Sequence, residues 1–238
     1  MEFPPILVIN LSNRNDRWKE IQESFQGWPP LQRLEAIRHS PGWMGCNKSH
    51  IKALQTAKQN SWPWVLVLED DAQPTPTSLA QLKKLLPSLW EQRSTWDVFL
   101  GGCTSVKDVS VRQYDPPLLN VKGHTTHFCL YNSNSYDKLI EGINGSSMVI
   151  DGYFRETPSI RCVCTAPHLA TQRVSKSDIQ GTESDYNEIF KKSNEDLLAA
   201  SRRLEGFVQE SKIFNNKILL SDILVLLTLG AFWLITPA

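Results

Sequence analysis

The sequence predicts an α/β sandwich on a mostly parallel sheet, and three observations carry that expectation. Short apolar runs alternate with stretches of helical periodicity along most of the chain. Ile6-Leu7-Val8-Ile9 and Val65-Leu66-Val67-Leu68 are apolar without a polar alternate, as strands buried on both faces are. The second run ends in Glu69-Asp70-Asp71, and ligands of open α/β sheets bind beyond the carboxyl ends of strands.

The elements follow in order. Ile6–Leu11 reads as a first buried strand. A helix starts in the polar stretch Ser12–Arg17, with Asn13 or Asn15 as cap and Trp18, Ile21 and Phe25 on one face. Trp28-Pro29-Pro30 ends it, and Leu31–Ile37 suits a second strand. After the Pro41-Gly42 turn, Gly45–Lys58 is helical, with Ile51, Leu54 and Ala57 at helical spacing. Trp62-Pro63-Trp64 leads into the acidic strand, and Pro74 and Pro76 stop simple continuation. Ser78–Trp90 is amphipathic through Leu79, Leu82, Leu85, Leu86 and Leu89. Trp96–Leu100 reads as a strand ended by Gly101-Gly102, and a less regular stretch runs through Asp115-Pro116-Pro117. His127–Tyr131 is a strand, and Ser133–Ile143 a helix capped by Ser133 or Asn134. Strand and loop return around Ser159–Ala166, polar loop fills Thr171–Thr182, and Glu188–Glu210 is a charged amphipathic helix.

A chain of 238 residues fits one sizeable α/β domain or two small ones. Its 25 basic and 25 acidic residues balance, so no nucleic acid partner is expected. The five cysteines form no CxxC pair and no zinc spacing with histidine, which favours a reducing compartment, with one disulfide in a lumenal protein as the alternative. Cys162 and Cys164 alternate on a strand and face one side as small apolar residues. Residues 1–210 are expected to form the domain and residues 211–238 a hydrophobic tail. No signal peptide is expected, because Met1–Pro5 has no basic region and the following apolar run is short. Ile218–Ala238 is almost wholly apolar, and at ~1.5 Å per residue a helix there just spans a ~30 Å hydrocarbon core. Lys212 and Lys217 before it favour a membrane-associated protein with a cytoplasmic main domain; a buried or partner-binding C-terminal helix is the alternative.

Three adjacent carboxylates repel one another unless a cation sits beside them. Hard divalent ions take oxygen ligands and often share them with substrate phosphates, so Glu69-Asp70-Asp71 suggests a metal–phosphate site; a solvated acidic turn is the bland reading. Asn10, Arg14 and Arg17 follow the first strand, where such a domain meets a nucleotide. The arginine fork suits phosphate oxygens, although an exposed helix start tolerates the same residues. Neither a GxGxxG nor a P-loop pattern occurs. Gly45-Cys46-Asn47-Lys48-Ser49-His50 puts polar groups at a helix start, with Ser49 and His50 as ligand-binding candidates or as a cap and a structural histidine. Asp151 follows Met148-Val149-Ile150 and is the candidate general base, a turn cap with Gly152 being the alternative. His127 precedes a strand whose Tyr131 suits the acceptor side, and it is a candidate there or else a core histidine. Gln172, Ser177 and Asp178 lie in a loop suited to closing over a ligand.

In this order the segments resemble glycosyltransferase family 25, which includes lipooligosaccharide and procollagen galactosyltransferases. The matching pieces are Ile6–Leu11 with Arg14 and Arg17, Gly45-Cys46-x-x-Ser49-His50, Leu68-Glu69-Asp70-Asp71, Asp151-Gly152 and Ser177-Asp178-Ile179, spread over residues 6–180. The resemblance implies a GT-A fold, a UDP-sugar donor, Mn²⁺ (or Mg²⁺) and an inverting transfer. It implies Asp71 as direct metal ligand, Glu69 on the ribose or on the metal through water, and Asp70 positioning the nucleotide. A late histidine ligates the metal in some GT-A enzymes, which makes His168 a candidate third ligand, although the family motif does not require it. The expected function is metal-dependent transfer of a hexose, galactose for instance, to a hydroxyl of a glycan, a lipid-linked saccharide or hydroxylysine. Its rivals are a non-catalytic, membrane-tethered GT-A scaffold and a metal-dependent phosphohydrolase. The apolar C-terminal tail departs from the family pattern.

Overall fold

The chain is seen in a computed structural model that describes residues 2–113, 115–176 and 183–202, apart from the side chains of residues 175, 176, 183 and 184. Ser177, Asp178, the end of the charged C-terminal helix and the apolar tail at 218–238 lie outside the described residues. Among the described residues no helix is long and apolar enough to cross a membrane.

The chain runs β1 (Ile6–Asn10), α1 (Asn15–Ser24), β2 (Leu31–Glu35), α2 (Gly42–Gln59), β3 (Trp64–Glu69), β4 (Ala72–Pro74), α3 (Ser78–Glu91) and β5 (Val98–Leu100). Then come β6 (Thr104–Gln113), β7 (Leu118–His124), β8 (Phe128–Asn132), a 3-10 turn at Ser133–Ser135, α4 (Tyr136–Gly145), α5 (Ile150–Glu156) and β9 (Cys162–Cys164). The short β10 (Ala170–Gln172), β11 (Ser175–Lys176) and β12 (Glu183–Ser184) follow, and residues 187–202 are helical.

Eight strands form one sheet in the order β2-β1-β3-β8-β5-β9-β7-β6. β1 is parallel to β2 and β3, and β5 to β9, while β8 and β7 run against the others. The result is a mixed α/β protein with a large, mostly parallel central sheet. Alternate residues of the central strands enter different cores, as the pleat requires. Leu7, Ile9, Val65, Val67, Cys129 and Tyr131 face one core with Ala53, Leu54, Leu139, Ile143 and Phe154 of α2, α4 and α5. Ile6, Val8, Leu66, Leu68, Phe128 and Leu130 face the other with Ile21, Leu82, Leu85 and Leu89 of α1 and α3. Each fully buried side chain of this size contributes about 1.5–3 kcal/mol. Cys162 and Cys164 share the first core and Val163 lies in the second, so the two thiols do point to one face.

Several boundaries differ from the sequence expectation. β2 stops at Glu35, and α2 begins at Gly42 rather than Gly45. The N-cap of α1 is Arg14, with no side-chain cap bond, in place of Asn13 or Asn15. The turn before α4 is closed by Asn132, whose side chain accepts from Asn134 N at 3.0 Å, not by Ser133 or Asn134. The chain after Asp151 stays helical as far as Glu156 before strand and loop return. The largest difference is the β6–β7 hairpin around Asp115, which replaces the irregular stretch. β6 is polar and half-exposed, its pairing with β7 shifts register, and it forms the sheet edge, so no apolar run announces it.

Two features position the cleft at the tips of β1 and β3. Lys122 Nζ donates to Phe154 O, Thr157 O and Ile160 O at 3.3, 2.6 and 2.5 Å, closing the C-terminal end of α5 and aiming its first turn at the β7–β8 loop. Gly45 lets α2 approach the chain after β2: a Cβ there would lie 2.4 Å from Ile37 O. Gly45→Ala is therefore expected to destabilise the protein by about 1–3 kcal/mol, as overpacking does. Thermal unfolding checks this; an unchanged melting temperature would mean that the helix has room to shift.

Candidate functional site

The carboxyl ends of the parallel neighbours β1 and β3 open into a cleft of about 230 Å³. Asn10, Arg17, Ser49, His50, Glu69, Asp70 and Asp71 line it, together with Arg38, His39 and Cys46. Residues from four separate segments of the sequence thus meet where an open α/β sheet binds ligands.

The three acids are treated differently. Asp70 is buried and held by Arg17 Nη1 at 2.9 Å and Asn10 Nδ2 at 2.6 Å. Burial pushes its carboxyl up, against the pull of Arg17 and Asn10. Arg173 staples the backbone of the turn, donating from its main chain to Asp71 O and from its side chain to Asp70 O, both at 2.8 Å. Glu20 pairs with Arg173 at 3.1 Å.

Glu69 accepts from the Thr126 hydroxyl at 2.6 Å and meets His50 Nε2 at 3.3 Å. His50 is fully buried, and its Nδ1 shares a 3.0 Å hydrogen bond with the Tyr131 hydroxyl. Burial works to raise Glu69, but His50 and Thr126 outweigh it and hold the carboxyl below its ordinary value. Asp71 has no such support. Its Oδ2 meets Gln172 Nε2 at 3.4 Å, and its Oδ1 is buried without a partner among the described residues. Burial first, then the charges of Glu69 and Asp70, push it up to about 7. The cleft therefore holds one oriented carboxylate, Glu69, kept in its ionised form, and one neighbour, Asp71, for which the charge of Arg17 and the bond from Gln172 fall short of offsetting burial and like charge.

Asp151 sits in the first turn of α5, accepting from Thr125 N at 3.2 Å and from Gly152 N at 2.7 Å. Thr125 and Thr126 thus hold Asp151 and Glu69 from adjacent positions. Thr125 has a φ of 84°, a left-handed conformation that a β-branched residue rarely adopts. The Asn47 side chain clamps Met148 O and Ile150 N, both at 2.9 Å, and fixes the start of α5 against α2.

The remaining sequence candidates lie as follows. Arg14 forks onto Asp16 at the exposed start of α1, outside the cleft lining. The Ser49 hydroxyl donates to Gly45 O at 2.7 Å and accepts from Ile37 N at 2.8 Å, so it ties the loop after β2 to α2. His127 is interior, not a cleft residue: burial pushes its pKa down to about 4, and Nε2 meets Ala170 O at 3.2 Å. His168 is also buried outside the lining, edge-on to Phe190 at 6.0 Å. Gln172 reaches Asp71, as above, and Ser177 and Asp178 lie outside the described residues.

Sequence reasoning missed Arg38, His39, Asn47, Thr126 and Arg173. Asn47 alone lies within a quoted segment, at an open position of Gly45-Cys46-x-x-Ser49-His50; the others belong to no motif, although Arg38 and His39 precede the turn that opens α2 and had a positional signal. Cys46 was seen as part of a helix start and of the family-like Gly45-Cys46-x-x-Ser49-His50 segment, not as a ligand-binding residue. The thiol lines the cleft, and burial, with the charges of Glu69, Asp151 and Asp71, raises its pKa well above the usual value.

No protein-family model matches the chain, and no curated protein matches it. Among solved structures, "Crystal Structure of A197 from STIV" is similar at 13% identity and a TM-score of 0.46, over 73% of this chain and 87% of that one. A glycosyltransferase involved in the glycosylation of the major capsid of PBCV-1 is similar at 12% identity and a TM-score of 0.42, over 70% of this chain and 83% of that one. Likeness at these scores is loose, so the functional reading stands on the cleft itself.

Proposed function

We propose that the protein is a glycosyltransferase of the family-25 kind. It would move a hexose from a UDP-sugar to a hydroxyl on a glycan, a lipid-linked saccharide or a protein, with Mn²⁺ or Mg²⁺ as cofactor and inversion at the anomeric carbon. The observation that carries the reading is the buried Oδ1 of Asp71, without a partner among the described residues, beside Glu69 at the tip of β3. An all-oxygen donor set short of positive charge fits a hard divalent cation. Asp71 would hold it directly and Glu69 directly or through water. Bound there, such an ion supplies charge that stabilises the leaving nucleoside diphosphate.

The chain's own residues do the rest. Arg17 and Asn10 lock Asp70 and with it the turn that presents Asp71. The main-chain N–H groups at the start of α2 and the side chains of Arg38 and His39 favour phosphate oxygens. Ile9, Leu11, Ala36 and Ile37 give the cleft an apolar wall against which a base can lie. Asp151 would take the proton of the acceptor hydroxyl; its two N–H partners leave lone pairs on both oxygens for that bond.

Thermal unfolding of the full chain with nucleoside diphosphates and nucleotide-sugars, with and without Mn²⁺, tests this. A ligand at a hundred times its Kd adds about 2.7 kcal/mol, which shifts the melting temperature of a chain this size by roughly 5 °C or more. A shift with UDP or one UDP-sugar that needs Mn²⁺ is expected. No shift with any nucleotide would end the glycosyltransferase reading.

A further inference from the structure

Cys46, His50 and Glu69 form a cluster that the transfer reaction does not use as a unit. Cys46 and His50 are one helical turn apart on α2, so both side chains point to the same side of the helix. Glu69 stands opposite, at the end of β3. Their ligand atoms all lie within 4.8 Å of one another, and all three residues line the cleft. Ligand atoms around a four-coordinate zinc are about 3.3–3.8 Å apart, given bonds of 2.0–2.3 Å, so a shift of roughly 1 Å would close the set.

We propose that these three residues bind a thiophilic divalent cation of the zinc or cadmium type, as a site separate from the Asp71 donor set although it shares Glu69. A thiolate and an imidazole select soft or borderline ions, where Asp71 with its carboxylate neighbours selects hard ones. Three protein ligands leave a fourth position, on the cleft side, for water or an anion.

The surroundings suit this role. Thr126 already orients Glu69 through a 2.6 Å hydrogen bond. Tyr131 already orients the His50 ring from Nδ1 at 3.0 Å. A tyrosine hydroxyl both donates and accepts. When His50 offers its Nε2 lone pair to an ion, its proton sits on Nδ1 and the Tyr131 oxygen accepts it, so no buried ring nitrogen is left unpaired. Such outer partners fix the tautomer of a metal-binding histidine. The thiol proton of Cys46 leaves for solvent as the ion binds, and the carboxylates of Glu69, Asp71 and Asp151 near this thiol leave local negative charge for the ion to neutralise.

Binding here does not depend on the protein being a glycosyltransferase, and the test uses no nucleotide. The full chain is titrated with CdCl₂ under reducing, chelator-free conditions and followed by thiolate-to-cadmium charge-transfer absorbance. One equivalent is expected to produce the band. Cys46→Ser is expected to remove it, and Glu69→Gln to keep it with affinity at least tenfold weaker. No band, or a band that persists in Cys46→Ser, overturns the proposal. Should Cys46→Ser fail to fold, alkylation of Cys46 in the unmodified chain decides: Zn²⁺ must slow it where Mg²⁺ does not, and equal rates overturn the site. A failed cadmium titration leaves the UDP–Mn²⁺ shift standing, and a failed nucleotide shift leaves the cadmium site standing.

Discussion

Asp71→Asn is expected to raise the melting temperature of the metal-free protein at pH 8 while lowering transfer by about a thousandfold or more. The stability half follows from linkage. Asp71 is pushed up to about 7 in the folded protein from an ordinary 3.8, so the folded state binds its proton more tightly than the unfolded state. The stabilisation of the protonated form is complete below about pH 4 and is lost as pH rises through about 7. At pH 8 the protein therefore carries the full penalty of a buried, poorly compensated charge. Three pKa units set a ceiling of about 4 kcal/mol; partial solvation at the cleft and coupling to Glu69 leave on the order of 2. Asparagine removes the charge, so the gain should appear at pH 8 and vanish near pH 4. The activity half follows from the proposed role of Asp71 as charged metal ligand, and any stabilisation by Mn²⁺ should disappear with it. Melting curves at the two pH values, with and without Mn²⁺, check both. A variant less stable than the parent at pH 8 would show that the Asp71 charge is already balanced in the folded protein.

Asp151→Asn is expected to lower kcat by about 10²–10⁴, the usual contribution of a general base, and to leave donor affinity unchanged. The amide keeps one oxygen. The shorter bond, from Gly152 N, can keep an acceptor, while the longer one, from Thr125 N, is lost. That loss costs about 1 kcal/mol and should be visible as a small drop in melting temperature. Steady-state kinetics separates the roles. If donor KM rises in step with the loss of kcat, Asp151 belongs to the donor site and the base lies elsewhere.

The parts of this protein legible in its sequence are those whose signal is local. β1 and β3 announce themselves because both of their faces are buried, and the Glu69-Asp70-Asp71 turn stands out because clustered charge is anomalous after such a strand. β8 was found as a strand, but its antiparallel place between β3 and β5 has no local mark. The β6–β7 hairpin was missed because an edge strand with polar residues and register shifts imitates a loop. Division of labour among the acids was equally hidden. Glu69 owes its ionised state to His50 and to Thr126, which is 57 residues away in sequence. Arg17 was legible as a candidate for phosphate; the structure shows it paired with Asp70, a partner 53 residues along the chain.

The Asn47 clamp has a consequence for how specificity could change. Its amide spans more than a hundred residues of sequence to bond both sides of Val149. The start of α5, which carries Asp151, and the start of α2, which carries Cys46 and His50, therefore translate together as one block. Rearrangement on that block would drag the proposed base away from Glu69 and Asp71, the proposed metal ligands. The segment from Ala36 to His39 has no such tie to α5, and it lines the same cleft. Changes of donor preference should accumulate in the side chains of that segment, because the bond that ties it to α2 is made by its backbone, from Ile37 N to the Ser49 hydroxyl.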